Sequence, residues 1–232
     1  MTHRLIFVCE ANVCRSPLME IVLRAQTGAG DWQISSAGTR VGPGGLEICR
    51  VSASIAAEET YAANAEKPHR SLAVDADDLR SADLILTASR AERSVVATLA
   101  PEVRSRAFTL REAIHLGIEP VRQPELELVA QFDSLADDER ELRVYAEALH
   151  TRRGFVALPT SRRSLFGKPG RNPYDIADAH HRSDREHHAM LRDTVGDVKT
   201  FHAQITEFLS ASPSSPPAVK NKAKAKAKAN AR

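Results

Sequence analysis

The pattern of apolar and polar positions opens on a continuous apolar run, Leu5-Ile6-Phe7-Val8, of the kind a strand buried on both faces requires. A helical period follows from Pro17 to about Gln26 and stops at Gly28-Ala29-Gly30, with Ser16 as the expected N-cap and Pro17 as the first helical residue. Trp32-Gln33-Ile34-Ser35 reads as a second strand, closed at its C-terminal end by Ser36-Ala37-Gly38-Thr39. Past the loop at Gly42-Pro43-Gly44-Gly45, Ile48, Val51 and Ile55 mark a second helix; it includes Cys49, which reads there as a small buried hydrophobe. Asp75 is a helix N-cap, Asp83 to Ala88 a third strand, Arg90 to Pro101 a helix and Ser105 to Leu110 a fourth strand. Alternating strands and helices predict an α/β fold, with a parallel sheet, helices on both faces and right-handed crossovers.

Beyond this the pattern weakens. Pro120 and Pro124 bound a turn, and Leu135 to Leu149 is helical, with Leu142, Tyr145 and Leu149 on one face. Gly154, Pro159 and Gly167 to Gly170 read as loop. Arg152, Arg153, Arg162 and Arg163 either flank a site mouth that selects anions or form a solvated basic face, the plainer reading. The final helix starts after Asp178 and runs to about Leu209, keeping Leu191, Val195, Val198, Ile205 and Phe208 on one face. His180, His181, Asp184, His187 and His188 crowd its start; Asp184 and His188 have i, i+4 spacing, but no third ligand matches it, and no metal is expected.

The organisation expected is one domain over residues 1–209, with an insertion at about 120–170 and a disordered basic Lys/Ala-rich tail at 210–232. The net charge of +2 hides an asymmetry, because Lys220, Lys222, Lys224, Lys226, Lys228 and Arg232 supply six positive charges and leave the rest at −4. Such a tail is either a solvated extension or a contact for an anionic partner. With no apolar run long enough for a transmembrane segment, and three cysteines that make a poor disulfide framework, a cytoplasmic location is expected.

The chemistry concentrates where the first strand meets the first helix, at Cys9-Glu10-Ala11-Asn12-Val13-Cys14-Arg15-Ser16. A strand-to-helix loop offers unpaired N–H groups and partial positive charge to an anion. A helix N-terminus beside an arginine lowers a thiol from about 8.5 to roughly 3.5–7.5, which would make Cys9 a nucleophile. Arg15 would grip two phosphoryl oxygens through its planar fork, and Ser16 would hydrogen-bond the sulfur and help it leave. Ser36, at the same sheet edge, is within reach of the cradle.

These residues resemble the low-molecular-weight protein tyrosine phosphatases. The resemblance rests on Cys9 to Arg15 with Ser16-Pro17 and Glu20, Ser36-Ala37-Gly38-Thr39, His69-Arg70-Ser71, Asp83-Leu84-Ile85-Leu86, and Pro101 through Phe108-Thr109-Leu110, in the family's order. It covers residues 4–112 and roughly 174–209. It implies a three-layer fold around a four-stranded parallel sheet and a two-step hydrolysis of phosphotyrosine without a cofactor. Cys9 would attack phosphorus, Arg15 would bind the equatorial oxygens, and water would hydrolyse a phosphocysteine intermediate. Asn12, Ser16, Ser36 and His69 match the positions that shape the loop and tune the thiolate. The expected partners are phosphotyrosine-bearing proteins, a tyrosine kinase among the candidates.

The general acid departs from the family pattern, which places it in an Asp-Pro pair. This chain has none. Asn172-Pro173-Tyr174 offers an amide, which donates no acidic proton, so Asp178 is assigned as the acid with Asp175 second; Ala179 in place of proline loosens its turn. His180 and His181 stand where the family has aromatics around the substrate. Ala11 replaces a common glycine, and Glu10 is expected to point away from the bound dianion. Val13 is aliphatic where relatives acting on phosphoarginine tend to have threonine, which favours phosphotyrosine. Cys14 would form a reversible protective disulfide with Cys9. Two alternatives remain open: a non-catalytic phosphoprotein-binding relative that has lost the acid, and, less favoured because no cysteine follows Cys49, an arsenate reductase.

Overall fold

The computed structural model describes residues 2–28, 30–60, 68–129, 141–156, 172–180 and 182–211. Strand β1 (His3–Cys9) lies inside a parallel four-stranded sheet with β2 (Trp32–Gly38) on one side and β3 (Leu84–Thr87) on the other, β4 (Ala107–Thr109) following β3. The period-2 alternation of β1 serves two cores. Leu5, Phe7 and Cys9 join one apolar cluster with helices α1 (Arg15–Thr27), α2 (Arg50–Glu59), α5 (Leu110–Leu116), α7 (Glu141–Arg152) and α8 (Asp184–Ala211). Ile6 and Val8 join another with α3 (Ala76–Ser81) and α4 (Arg90–Leu99). The result is the three-layer α/β arrangement expected, with helices on both faces. From β1 the chain moves to β2 on one side, and from β3 to β4 on the other, so the C-terminal ends of β1 and β3 form the switch point where ligands bind in such sheets.

Several expectations are corrected. Helix α1 begins at Arg15 with Cys14 as its N-cap position, because the Ser16 hydroxyl is turned into the loop instead of capping the helix. Strand β2 continues through Ser36, Ala37 and Gly38, since its register with β1 runs on to Cys9 opposite Gly38. Cys49 is not inside α2 but is its N-cap, accepting from the Ser52 amide, and is only partly buried. The helix from Arg90 ends at Leu99, and Pro101–Arg106 is a 3₁₀ turn before β4. Pro124 does not bound a turn; it is the second residue of α6 (Gln123–Val129), where its missing N–H is of no consequence.

Arg152 and Arg153 are neither a site mouth nor a solvated face. Arg152 is buried, donating to the carbonyls of Leu116, Glu119 and Pro120 and pairing with Glu125. Arg153 pairs with Glu112 and lies 4.0 Å over the Phe108 ring. Leu142, Tyr145 and Leu149 are buried in one cluster, as their spacing predicts. Helix α8 starts at Asp184, later than expected, because Ser183 stops the preceding turn: its hydroxyl accepts from the Glu186 amide and donates to the Glu186 carboxylate. The tail from residue 212, the stretches 130–140 and 157–171 with Arg162 and Arg163, and His181 lie outside the described residues.

Candidate active site

Cys9 ends β1 and is 2% exposed. Two donors aim at its sulfur: the Asn12 amide at 3.3 Å and the Ser16 hydroxyl at 3.0 Å. The loop's carbonyls are taken up from outside. Thr39 N donates to Cys9 O, Arg40 N to Glu10 O, Cys49 N to Val13 O and Ser52 Oγ to Cys14 O. His69 Nε2 donates to Asn12 O at 2.8 Å, which fixes the proton on that nitrogen. A loop whose carbonyls are engaged on its outer side presents its N–H groups to its concave side, the geometry of an anion nest.

Asn12 is the keystone. Its φ of 54° lies in the left-handed region, which asparagine tolerates better than most residues with a side chain. Its amide nitrogen donates to Ser16 Oγ and to Ser36 Oγ, each at 2.9 Å, while its side-chain oxygen accepts from Leu72 N at 2.9 Å. Ser36 therefore reaches the cradle through Asn12. Gly38 is held by a different constraint: a Cβ there would sit 2.8 Å from Glu10 O and 2.9 Å from Ala11 C, so only glycine lets the strand pass this close to the loop. Glu10 points out, its carboxylate pairing with exposed Arg40 at 2.9 Å.

Arg15 is 4% exposed and joins the loop to the segment before α8. It donates to Ile176 O at 3.2 Å and to Asp178 Oδ2 at 2.9 Å, and Glu92 lies 3.5 Å away. Asp178 is open to solvent on its other side, its carboxylate also accepting from His180 N at 2.9 Å. Asp175 is held elsewhere, by the backbone and guanidinium of Arg90. Asn172 folds back on its own chain, accepting from Tyr174 N at 3.0 Å. Ile176 anchors the segment, buried in the main core and donating to Ala88 O at 2.8 Å. The structure thus brings Cys9, Asn12, Arg15, Ser16, Ser36, His69 and Asp178 to one place and leaves Asp175 out.

Cys14 turns to other partners. Its sulfur lies 3.1 Å from His180 Nδ1, and Ser52 Oγ is 3.1 Å from both Cys49 Sγ and Cys14 O. A hydrogen bond with Cys14, together with the Ser52 hydroxyl and amide and the nearby His187, lowers Cys49 to about 5; the same bond and burial push Cys14 up. Asp184 and His188 are exposed and join no such group among the described residues.

Sequence reasoning passed over Glu92 and the role of Gly38. Glu92 sits at the third position of α4 in the pattern Ser89-x-x-Glu92, and Ser89 Oγ donates to it, so the capping-box spacing was the available signal. Nothing local announced that this carboxylate would meet Arg15, 77 residues earlier. A separate cleft bounded by Arg93, Glu112, His150, Arg153 and Tyr174 holds none of the loop residues, and Arg93 and Arg153 in it are paired with Glu112.

A parallel sheet with a buried cysteine at a switch-point loop, followed by an arginine in the first helical turn, defines a class of phosphoryl-handling α/β proteins. The sequence profile of the low molecular weight phosphotyrosine protein phosphatases matches residues 4–148, and the chain belongs to that family of phosphatases. It is 28% identical over 112 residues to the protein-arginine-phosphatase of Bacillus subtilis (strain 168), covering 47% of this chain and 71% of that one. In fold it is similar to the low molecular weight protein tyrosine phosphatase of T. tengcongensis, with a TM-score of 0.54, 19% identity and coverage of 88% of this chain and 99% of that one. The YwlE arginine phosphatase of Geobacillus stearothermophilus aligns with a TM-score of 0.56 and 18% identity over 91% and 98% of the two chains.

Proposed function

We infer that this phosphatase hydrolyses phosphotyrosine in proteins by two displacements at phosphorus, and that Cys9, Arg15 and Asp178 carry them. The convergence of these three side chains on one loop is the observation that supports the reading. In the first step the Cys9 sulfur forms a bond to phosphorus and the phosphorus–oxygen bond to tyrosine breaks, the leaving oxygen taking a proton from Asp178. Substrate binding places phosphoryl oxygens on Arg15 and so frees Asp178 from its ion pair; the freed carboxylate takes up a proton from solvent and turns toward that oxygen. In the second, water attacks the phosphocysteine, Asp178 takes its proton, and the sulfur leaves with the Ser16 hydroxyl still donating to it. Asn12, Ser36 and His69 act by holding the loop in shape.

A second reading replaces phosphotyrosine by phosphoarginine, favoured by the B. subtilis relative and opposed by the aliphatic Val13. The two are separated by comparing kcat/KM on phosphotyrosine and phosphoarginine peptides, with para-nitrophenyl phosphate as a substrate whose good leaving group scarcely needs an acid. The expected result is a preference for the phosphotyrosine peptide, and loss of all turnover in Cys9→Ser. Preference for phosphoarginine would overturn the substrate; binding without turnover of any of the three would leave a phosphoprotein-binding module instead. The substrates are taken to be cytoplasmic proteins, a reading supported by the free thiols of Cys9, Cys14 and Cys49; no helix among the described residues is long and apolar enough to cross a membrane. The basic tail is read first as a solvated extension and second as a contact for an anionic partner, and residues 120–170 as an insertion into a single domain of residues 1–209.

A further inference from the structure

Four metal-binding side chains that the hydrolytic chemistry does not use meet beside the loop. They come from distant points of the chain: Cys14 from the loop, Cys49 from the start of α2, His180 from the segment carrying Asp178, and His187 from the first turn of α8. One ligand atom from each lies within 4.8 Å of all the others. Cys14 Sγ is 3.1 Å from His180 Nδ1, Cys49 Sγ is 4.0 Å from His187 Nε2, and the two imidazoles meet edge to face at 5.3 Å.

We propose that Cys14, Cys49, His180 and His187 bind one zinc ion in a tetrahedral site of two sulfurs and two nitrogens. Two thiolates and two imidazoles are a donor set that selects zinc among common divalent ions. Bonds of about 2.3 Å to sulfur and about 2.0 Å to nitrogen place neighbouring ligand atoms roughly 3.3–3.8 Å apart, so the four donors need only small adjustments to close on an ion. Cys14 and His187 are buried, which shields the site, while His180 is exposed and provides an entry path. Both sulfurs bind as thiolates, so the proton on Cys14 is released to solvent. Because Cys14 precedes Arg15 and His180 follows Asp178 by two residues, the ion would fasten the acid-bearing segment to the phosphate loop and to α2. It would also withhold Cys14 from a disulfide with Cys9.

The test uses the full chain, fully reduced, stripped with a chelator and desalted. Zinc chloride is titrated in competition with a chromophoric chelator, and cobalt(II) is titrated separately as a spectroscopic probe. One zinc per chain is expected in the wild type and in Cys9→Ser. Affinity should fall more than about 100-fold in Cys49→Ser and in His187→Gln, since losing even an outer partner of a zinc ligand costs 10–100-fold. Cobalt should show the strong visible bands of tetrahedral coordination and thiolate-to-metal charge transfer. Zinc binding that disappears in Cys9→Ser but persists in the other variants would assign the metal to the nucleophile and overturn the site. So would unchanged affinity in both ligand variants, weak octahedral cobalt bands, or no zinc binding by the fully reduced wild type. Circular dichroism checks the fold of each variant; where a variant fails to fold, the wild-type cobalt spectrum decides alone.

Discussion

The loop from Cys9 to Arg15 and the segment from Asn172 to His180 meet at one guanidinium, yet they are held by opposite means. The loop is fixed by bonds to almost every carbonyl it has and by a buried asparagine side chain with three partners. The segment is pinned by buried Tyr174, Ile176 and Ala179 and by His180 against Cys14, while its two aspartates hang on arginines: Arg15 at Asp178, Arg90 and Arg111 at Asp175. On the proposed mechanism the nucleophile and its anion nest are preorganised before substrate arrives, whereas the general acid leaves its ion pair and turns to the leaving oxygen. The rigid part and the movable part of the site are therefore built differently, with Arg15 as the hinge of their exchange.

Substitutions on each side can break this contrast. The largest effect is expected from Asp178→Asn, which should lower kcat on phosphotyrosine by about 10²–10⁴-fold while leaving para-nitrophenyl phosphate turnover nearly intact. If Asp175→Asn produces that split instead, the acid is misassigned. On the rigid side, Gly38→Ala forces a Cβ against Glu10 O and should destabilise the fold by about 1–3 kcal/mol in urea denaturation, with activity on both substrates reduced. An unchanged unfolding midpoint would show that the loop yields more easily than its bonding indicates.

Glu92→Gln keeps an acceptor for the Ser89 hydroxyl at the start of α4 but removes the buried charge beside Arg15. The expected result is a loss of about tenfold in kcat/KM, about 1.4 kcal/mol, with little change in melting temperature. The smallest effect belongs to Arg90→Ala, which releases Asp175 from a half-exposed ion pair. Stability should change by less than about 1 kcal/mol and the activity ratio between the two substrates should hold. A large shift in that ratio would mean that Asp175 is kept from the site only by Arg90.

Much of the rigid half was legible in the chain. The apolar run of β1, the cysteine after it and the arginine opening a helix are neighbours in sequence, and strand burial and helix termini are local consequences of side-chain pattern. The errors were also local in kind. Ser16 fits an N-cap by type, but its oxygen accepts from the Asn12 side chain and its proton goes to the Cys9 sulfur, partners that only the folded loop supplies. Cys49 looked like a buried hydrophobe because its partners, Cys14 and His187, are 35 and 138 residues away.

By itself, the sequence determined the alternation of elements, the parallel sheet and the place of the cysteine-to-arginine loop between the first strand and the first helix, because these follow from periodicity and from residues adjacent in the chain. It also put Asp178 ahead of Asp175 as the candidate acid, on its distance from the final helix, although the two stand only three positions apart. The tertiary structure decided that Asp178 faces Arg15 while Asp175 faces Arg90, that Glu92 stands behind the guanidinium, and that two cysteines and two histidines share one small volume. Those are meetings between side chains far apart in sequence, and they exist only once the buried faces of β1, α1 and α8 have packed and set the distances between them.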